Sequence, residues 1–208
     1  MLYKFYQQHI FPHLLNQVMQ TPSLMDLRRE LLLPITGEVL EIGFGTGLNL
    51  PFYQAVDKVY ALEPNPDIFK LAQQRISQSP FAVEQIQARA EALPFAENSL
   101  ENIVSTWTLC SIPDLHQSLH EIYRVLMPGG HFHLVEHVLN REHLNIQRLQ
   151  HLLTPIQKKV ADGCYLNRDI ETALLEAGFD LDEVHYIDAE GIPKIGQRML
   201  LARVHKPL

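Results

Sequence analysis

Three observations predict an α/β fold built on a mostly parallel seven-stranded sheet with helices on both faces. From Glu38 onward, short apolar runs alternate with segments of helical period, the pattern of strand–helix–strand units. Directly after the first run, Val39-Leu40, comes a turn with glycine at every second position: Gly43, Gly45 and Gly47. Chemistry-bearing residues then stand at the ends of the runs: Glu41 after the first, Glu63 after the second, Glu91 after the third, Trp107 after the fourth and Glu136-His137 after the fifth. In an open parallel sheet ligands bind beyond the carboxyl ends of the strands, so one cleft would gather all of them.

In chain order, Tyr3, Tyr6, Ile10, Leu14 and Val18 recur at helical spacing and predict an amphipathic helix within Met1 to Gln20. That helix either packs on the domain or forms a lid over the cleft or a surface that meets lipid. No uninterrupted apolar stretch of signal-peptide or membrane-span type is present in it. Met25 to Leu33 reads as a second helix, ended near Pro34. After the glycine turn, Leu48 to Tyr53 reads as the start of a helix. Further strands are expected at Asp57 to Leu62, Ala82 to Ala88, Leu100 to Thr106, His131 to Glu136, Glu183 to Asp188 and Arg198 to Val204. Pro66 starts a helix through Phe69, Leu71, Ala72 and Ile76. Another, after Pro113, runs through Leu119, Ile122 and Leu126 to the stop at Pro128-Gly129-Gly130. Residues 1–208 read as one domain, with helices over 1–33 and a helical insertion over 138–180 expected to cover an acceptor. No internal repeat, low-complexity tract or linker interrupts it.

The glycine turn is a ligand turn, because the backbone must bend sharply and let a bound group come close. A dinucleotide fingerprint has its third glycine three positions after the second; here Gly47 follows Gly45 by two. Glu41 would also set a carboxylate where a pyrophosphate lies. A cationic ligand carrying an amino group suits the turn better, and S-adenosyl-L-methionine (SAM), with a sulfonium and an ammonium, has both charges. Glu63, twenty residues after Gly43, is placed to accept hydrogen bonds from two ribose hydroxyls.

Composition narrows the partners. The 208 residues carry a formal net charge of -7 with scattered Lys and Arg, which argues against a nucleic-acid backbone as main partner. Two cysteines, Cys110 and Cys164, form no CxxC pair, and the eleven histidines form no HExxH pattern. The expectations are a reducing, cytoplasmic setting, no metal, no integral membrane segment and no defined oligomeric state.

Four motifs carry a resemblance: Glu41-Ile42-Gly43-Phe44-Gly45-Thr46-Gly47, Glu63-Pro64-Asn65, Ala90-Glu91-Ala92-Leu93-Pro94-Phe95 and Arg124-Val125-Leu126-Met127-Pro128-Gly129-Gly130. With them the chain resembles the class I SAM-dependent methyltransferases, which implies their Rossmann-like fold. It also implies cofactor contacts from Glu41, Gly43, Gly45, Thr46, Gly47 and Asn49 at the methionine end, and from Glu63, Pro64 and Asn65 at the ribose. Ala90 and Glu91 would lie along the adenine, and Thr106 and Trp107 where the fourth strand meets methionine and acceptor. Arg89 stands where many relatives carry an Asp that contacts the adenine amino group. Arg cannot accept that hydrogen bond, so a backbone carbonyl or Glu91 would. A narrower likeness rests on Gly47 to Tyr53, Thr108 to Ile112, Glu136-His137-Val138 and Asp162 to Arg168. These segments look like the methyltransferase-like 7 group and its bacterial relatives, whose animal members resemble thiol S-methyltransferases at intracellular membranes. Those members carry an apolar amino-terminal anchor that this sequence does not show.

Methyl transfer from a sulfonium is an in-line displacement that needs alignment and exclusion of water. A thiol acceptor must first become a thiolate. His137 is the candidate base, or a strand-end histidine that only bonds to backbone, and Glu136 orients it, binds the acceptor or serves as a plain structural acid. Trp107 either walls the transfer pocket or packs in the core. Cys110 reads as a small buried hydrophobe, while Asp162 caps the following turn or, with Cys164, lines the acceptor pocket. Leu144, Leu149, Leu152 and Leu153 form either an apolar lid surface or helix core. The expected function is methyl transfer from SAM to a small apolar acceptor, a thiol in the narrower reading. Alternatives are a quinone-precursor or lipid acceptor, a non-catalytic SAM-binding module and, least favoured by the glycine spacing, an NAD-type reductase.

Overall fold

The computed structural model describes Tyr6 and residues 10–208. Tyr3, the first member of the expected amino-terminal stripe, lies outside the described residues. What is described of that helix is α1 (Phe11–Val18). It is followed by α2 (Pro22–Leu32), which opens with Pro at its first position, where the missing N–H costs nothing.

The sheet consists of β1 (Thr36–Ile42), β2 (Ala55–Leu62), β3 (Ala82–Ile86), β4 (Leu100–Thr106), β5 (Leu126–His137), β6 (Asp180–Asp188) and β7 (Arg198–His205), in the order β3-β2-β1-β4-β5-β7-β6. The first five pair in parallel, while β7 runs antiparallel between β5 and β6. Crossovers are made by α3 (Pro66–Ser77) between β2 and β3 and α4 (Leu115–Val125) between β4 and β5. After β5 come α5 (Leu144–Val160) and α6 (Ile170–Glu176).

Alternation along the strands divides the core. Leu40, Ile42, Ile103, Phe132 and Leu134 pack against Leu119 and Ile122 of α4 and Ile170 and Leu174 of α6. Val39, Val59, Val104 and Val135 face the other way, against Leu24, Leu27 and Leu31 of α2 and Phe69 of α3. Fully burying one such side chain contributes about 1.5–3 kcal/mol. Strands buried on both faces explain the continuous apolar runs.

Two expectations are corrected, and one open alternative is decided. The helix after the glycine turn is a single 3-10 turn, Leu50–Phe52. Extended Tyr53 turns inward there, 4 % exposed, with its hydroxyl on Glu41. β5 begins at Leu126 rather than His131, running through Pro128-Gly129-Gly130 with a register shift against β4. A Cβ on Gly130 would lie 2.9 Å from the Glu101 and Met127 carbonyl oxygens, so the bulge admits only glycine. Finally, Leu144, Leu149 and Leu152 are not helix core: they are exposed, and α5 buries Gln150 and Thr154 instead.

Candidate active site

Beyond the carboxyl ends of β1, β2, β4 and β5 lies a cavity of about 710 Å³, lined in part by α1 and the end of α5. It has two ends, built from different parts of the chain.

One end is the glycine turn. Gly43 has φ +69° and its missing Cβ would fall 2.1 Å from Thr108 Oγ1, so this glycine lets the β4 loop pack on the turn. Gly45 has φ +60°, and nothing but the Gly43 carbonyl, at 3.7 Å, stands near its missing Cβ. The bare backbone there faces the cavity, a cradle that a side chain would fill. Gly47, at φ +76°, packs beneath Phe44 and does not line the cavity.

Glu41 is 1 % exposed and accepts a hydrogen bond from the Tyr53 hydroxyl at 2.8 Å. Burial raises its carboxyl to about 7, against the opposing pull of Tyr53, Asn49 and Arg28. Arg28 Nε donates to Asn49 Oδ1 at 2.9 Å, and Asn49 Nδ2 donates to Thr106 Oγ1 at 3.1 Å. Burial lowers the Arg28 guanidinium to about 10, with Glu41 opposing. Arg28 also covers one face of Trp107 at 4.5 Å, so that face is taken by a guanidinium. A buried carboxylate this costly to ionise is suited to a cationic ligand group. The residues therefore fit the ammonium-bearing end of SAM.

Glu63, 6 % exposed, accepts from the Gly45 amide at 3.1 Å through Oε2 and from the Asn65 amide at 3.0 Å through Oε1. Burial pushes its carboxyl up, the two amides pull it down, and Asp162 across the cavity pushes it up again. Asn65 caps α3 through the Asp67 amide and does not line the cavity, whereas Pro64, Arg89, Ala90 and Glu91 do. Thr46 Oγ1 donates to Asn16 Oδ1 at 2.8 Å, tying α1 to the turn, and Arg75 of α3 holds the Thr46 carbonyl.

The other end gathers Trp107, Cys110, Ser111, His137, Cys164 and Gln157. Glu136, fully buried and absent from the cavity wall, accepts hydrogen bonds from the amides of Thr108, Leu109 and Cys110 and from Ser105 Oγ. Burial raises its carboxyl, and these amides and His137 oppose that. Its grip holds a loop in which Trp107 sits at φ +52°, strained for a bulky residue. Arg168 fastens the same loop from the far side, donating to the carbonyls of Leu109 and Ile112 while stacking on Tyr165. The Tyr165 amide completes the link by donating to the Cys110 carbonyl at 2.8 Å.

These clamps bring His137 Nε2 to 3.0 Å from Cys164 Sγ. Hydrogen bonding with Cys110, followed by burial, pushes the Cys164 thiol far above its ordinary range. Burial opposes a charged His137, but Cys164 and Glu136 outweigh it and raise its pKa. His137 Nδ1, in a residue 9 % exposed, has no hydrogen-bond partner among the described residues. Asp162, at φ +43° past the end of α5, lines the cavity, and Asp169 caps α6 through the Thr172 amide.

Sequence reasoning passed over Arg28, Tyr53 and the meeting of both cysteines with His137. Arg28 had a signal: four residues after Leu24 and three before Leu31, it falls on the buried face of α2. The cysteine–histidine cluster had none in its spacing.

The chain has a Rossmann-like fold, and its residues 40–134 match the methyltransferase domain family. The chain carries that match over just under half of its length. It is similar to the thiol S-methyltransferase TMT1A of Homo sapiens, 32 % identical over 154 residues that cover 73 % of this chain and 63 % of that protein. It is also similar to the ubiquinone/menaquinone biosynthesis C-methyltransferase UbiE of Klebsiella pneumoniae, 34 % identical over 47 % of this chain and 41 % of that protein. The match thus spans about six-tenths of the length of the thiol methyltransferase relatives. A SAM-dependent methyltransferase from Thermotoga maritima shares the fold at a TM-score of 0.66 and 22 % identity, covering 96 % of this chain and 99 % of that one. One from Aquifex aeolicus does so at 0.63 and 17 %, covering 93 % and 97 %.

Proposed function

We propose that the protein transfers the methyl group of SAM to a small apolar acceptor, and that the acceptor is a thiol. One observation carries this reading: a single cavity joins a backbone cradle with a costly buried carboxylate, Glu41, to a sulfur- and imidazole-lined end at Cys110, His137 and Cys164. In this reading Glu41, Gly43, Gly45, Thr46 and Asn49 hold the methionine end, Glu63 and Pro64 the ribose, and Ala90 and Glu91 the adenine. The bound cofactor supplies an electrophilic methyl on a sulfonium. Gly47 and Asn65 act from behind, shaping the turn and capping α3. Glu136 positions the 107–110 loop instead of touching the acceptor, and His137 serves activation of the acceptor thiol. Phe11, Leu15, Leu48, Ile112 and Met199 line the cavity and favour an apolar acceptor. α1 and the 138–180 segment act as its cover.

The test is a radiolabelled methyl-transfer screen across alkyl and aryl thiols, quinols and phospholipids. Transfer to thiols above all other classes is expected. Methylation of quinols with thiols inert would replace the acceptor, and SAM binding with no acceptor methylated would leave a binding module.

Exposed apolar residues surround the cover: Leu14 and Val18 on α1, and Leu149, Leu152, Ile156 and Val160 at helical spacing on α5. Arg148, Lys158 and Lys159 flank the second stripe. We infer a peripheral contact with an anionic membrane surface, which would deliver apolar acceptors. Among the described residues no helix is long and apolar enough to cross a membrane. Leu152→Asp/Ile156→Asp should lose sedimentation with anionic vesicles while keeping its stability within about 0.5 kcal/mol. Unchanged co-sedimentation would refute the contact.

A further inference from the structure

Cys110, His137 and Cys164 come from three segments: the loop after β4, the end of β5 and the turn after α5. All three are buried, and a ligating atom from each lies within 4.8 Å of the other two. A tetrahedral zinc ion with Zn–S of about 2.3 Å and Zn–N of about 2.0 Å sets its ligand atoms roughly 3.5 to 3.8 Å apart, so side-chain adjustments well under a rotamer change would suffice. Two thiolates, their protons released to solvent as the metal binds, and one imidazole form a soft donor set that suits Zn²⁺ and excludes Mg²⁺ or Ca²⁺.

Two further features point to a ligand rather than to plain packing. His137 directs Nε2 at Cys164 Sγ, 3.0 Å away, so it is this nitrogen, and not Nδ1, unpartnered among the described residues, that would ligate. The backbone carrying the cluster is also unusually fixed. Glu136 takes three successive amides of the Cys110 loop, and Arg168 and the Tyr165 amide take its carbonyls. A small buried hydrophobe would not need that many charged anchors, whereas a metal site needs its ligands held.

We propose that Cys110, His137 and Cys164 bind one Zn²⁺ ion whose fourth position opens into the acceptor end of the cavity. The proposal rests on the thiol reading above and gives His137 the part of a ligand instead of a free base. Three protein ligands with an open position are the pattern of catalytic rather than structural zinc. An acceptor thiol entering that position would bind as its thiolate, its proton passing to solvent. The thiolate sulfur would then form the new S–CH3 bond as the methyl–sulfonium bond breaks. Its electron pair would go to the departing thioether sulfur of the demethylated cofactor. The thioether product, neutral and a weak ligand, would leave the metal.

The test is titration of the metal-free protein with Co²⁺ and Zn²⁺, with no SAM present. One equivalent of Co²⁺ should give a thiolate-to-cobalt charge-transfer band with the intense visible bands of four-coordination, and Zn²⁺ should abolish both. A small alkanethiol should shift the visible bands, reporting the open position. Cys110→Ser and Cys164→Ser should each weaken Zn²⁺ binding on the order of 100-fold, with folding followed separately by circular dichroism. The proposal is overturned if wild-type protein binds Co²⁺ no more tightly than the double serine variant. Metal-free protein that methylates thiols at the full rate overturns it too, and leaves the SAM–thiol reading standing. A four-coordinate cobalt site in a protein that methylates no thiol supports the metal and sinks that reading instead.

Discussion

The two ends of the cavity are built in opposite ways. The cradle end comes mostly from a continuous stretch, 41–49, plus one residue group after each neighbouring strand, and its shape is largely backbone. The sulfur end comes from side chains of three distant segments held together by Glu136 and Arg168. Backbone that must adopt positive φ or admit a ligand demands glycine at fixed positions, whereas convergent side chains can come from any spacing the fold allows. A site of the first kind therefore announces itself in sequence and one of the second does not.

The two ends should also fail differently. Gly45→Val puts a β-branched side chain at φ +60°, facing the space where the ligand would lie. SAM binding should disappear in calorimetry while the far-ultraviolet spectrum stays native; retained affinity would break the cradle assignment. Gly43→Ala, whose methyl would overlap Thr108, should instead compromise folding. At the sulfur end, His137→Ala should slow methyl transfer about 100-fold or more while SAM affinity stays within about twofold. Equal losses in binding and turnover would merge the two ends into one. Glu136→Gln keeps the shape of the loop's anchor but removes its charge, so a loss of about 1–3 kcal/mol is expected in denaturant unfolding. SAM affinity should barely change, because Glu136 does not line the cavity. A collapse of SAM binding would contradict its role as anchor.

Most of the sheet was legible because strands buried on both faces are largely apolar, as Val39-Leu40 and Ile103-Val104 are. The short turn at Leu50–Phe52 was not, since its helical start is cut off by the tertiary pull of Tyr53 toward Glu41. α5 left its inward face undecided for another reason. Its leucines have helical spacing, but its buried face is Gln150 and Thr154. Gln150 bonds the carbonyls of Val138 and Ile195, and Thr154 bonds Asn167. Amphipathic spacing shows that a helix has two faces and says nothing about which one turns inward. Arg28 was readable and overlooked, a charge on the apolar side of α2 with Asn49 to satisfy it.

The account depends most on Glu41 meeting a cation. Its folded-state pKa, raised from 4.5 to about 7, favours the protonated carboxyl in the free protein. Stability from this group is thus full below about 4.5 and falls by about 3 kcal/mol as pH rises through 7. A bound ammonium reverses that preference. Calorimetry of SAM binding at pH 6.5, in two buffers of different ionisation enthalpy, should show one site, proton release on binding and affinity that increases as pH rises toward 7. In Glu41→Gln the proton release should vanish and affinity should drop. Binding with no proton release in the wild-type protein, or NADH binding in place of SAM, would contradict the account.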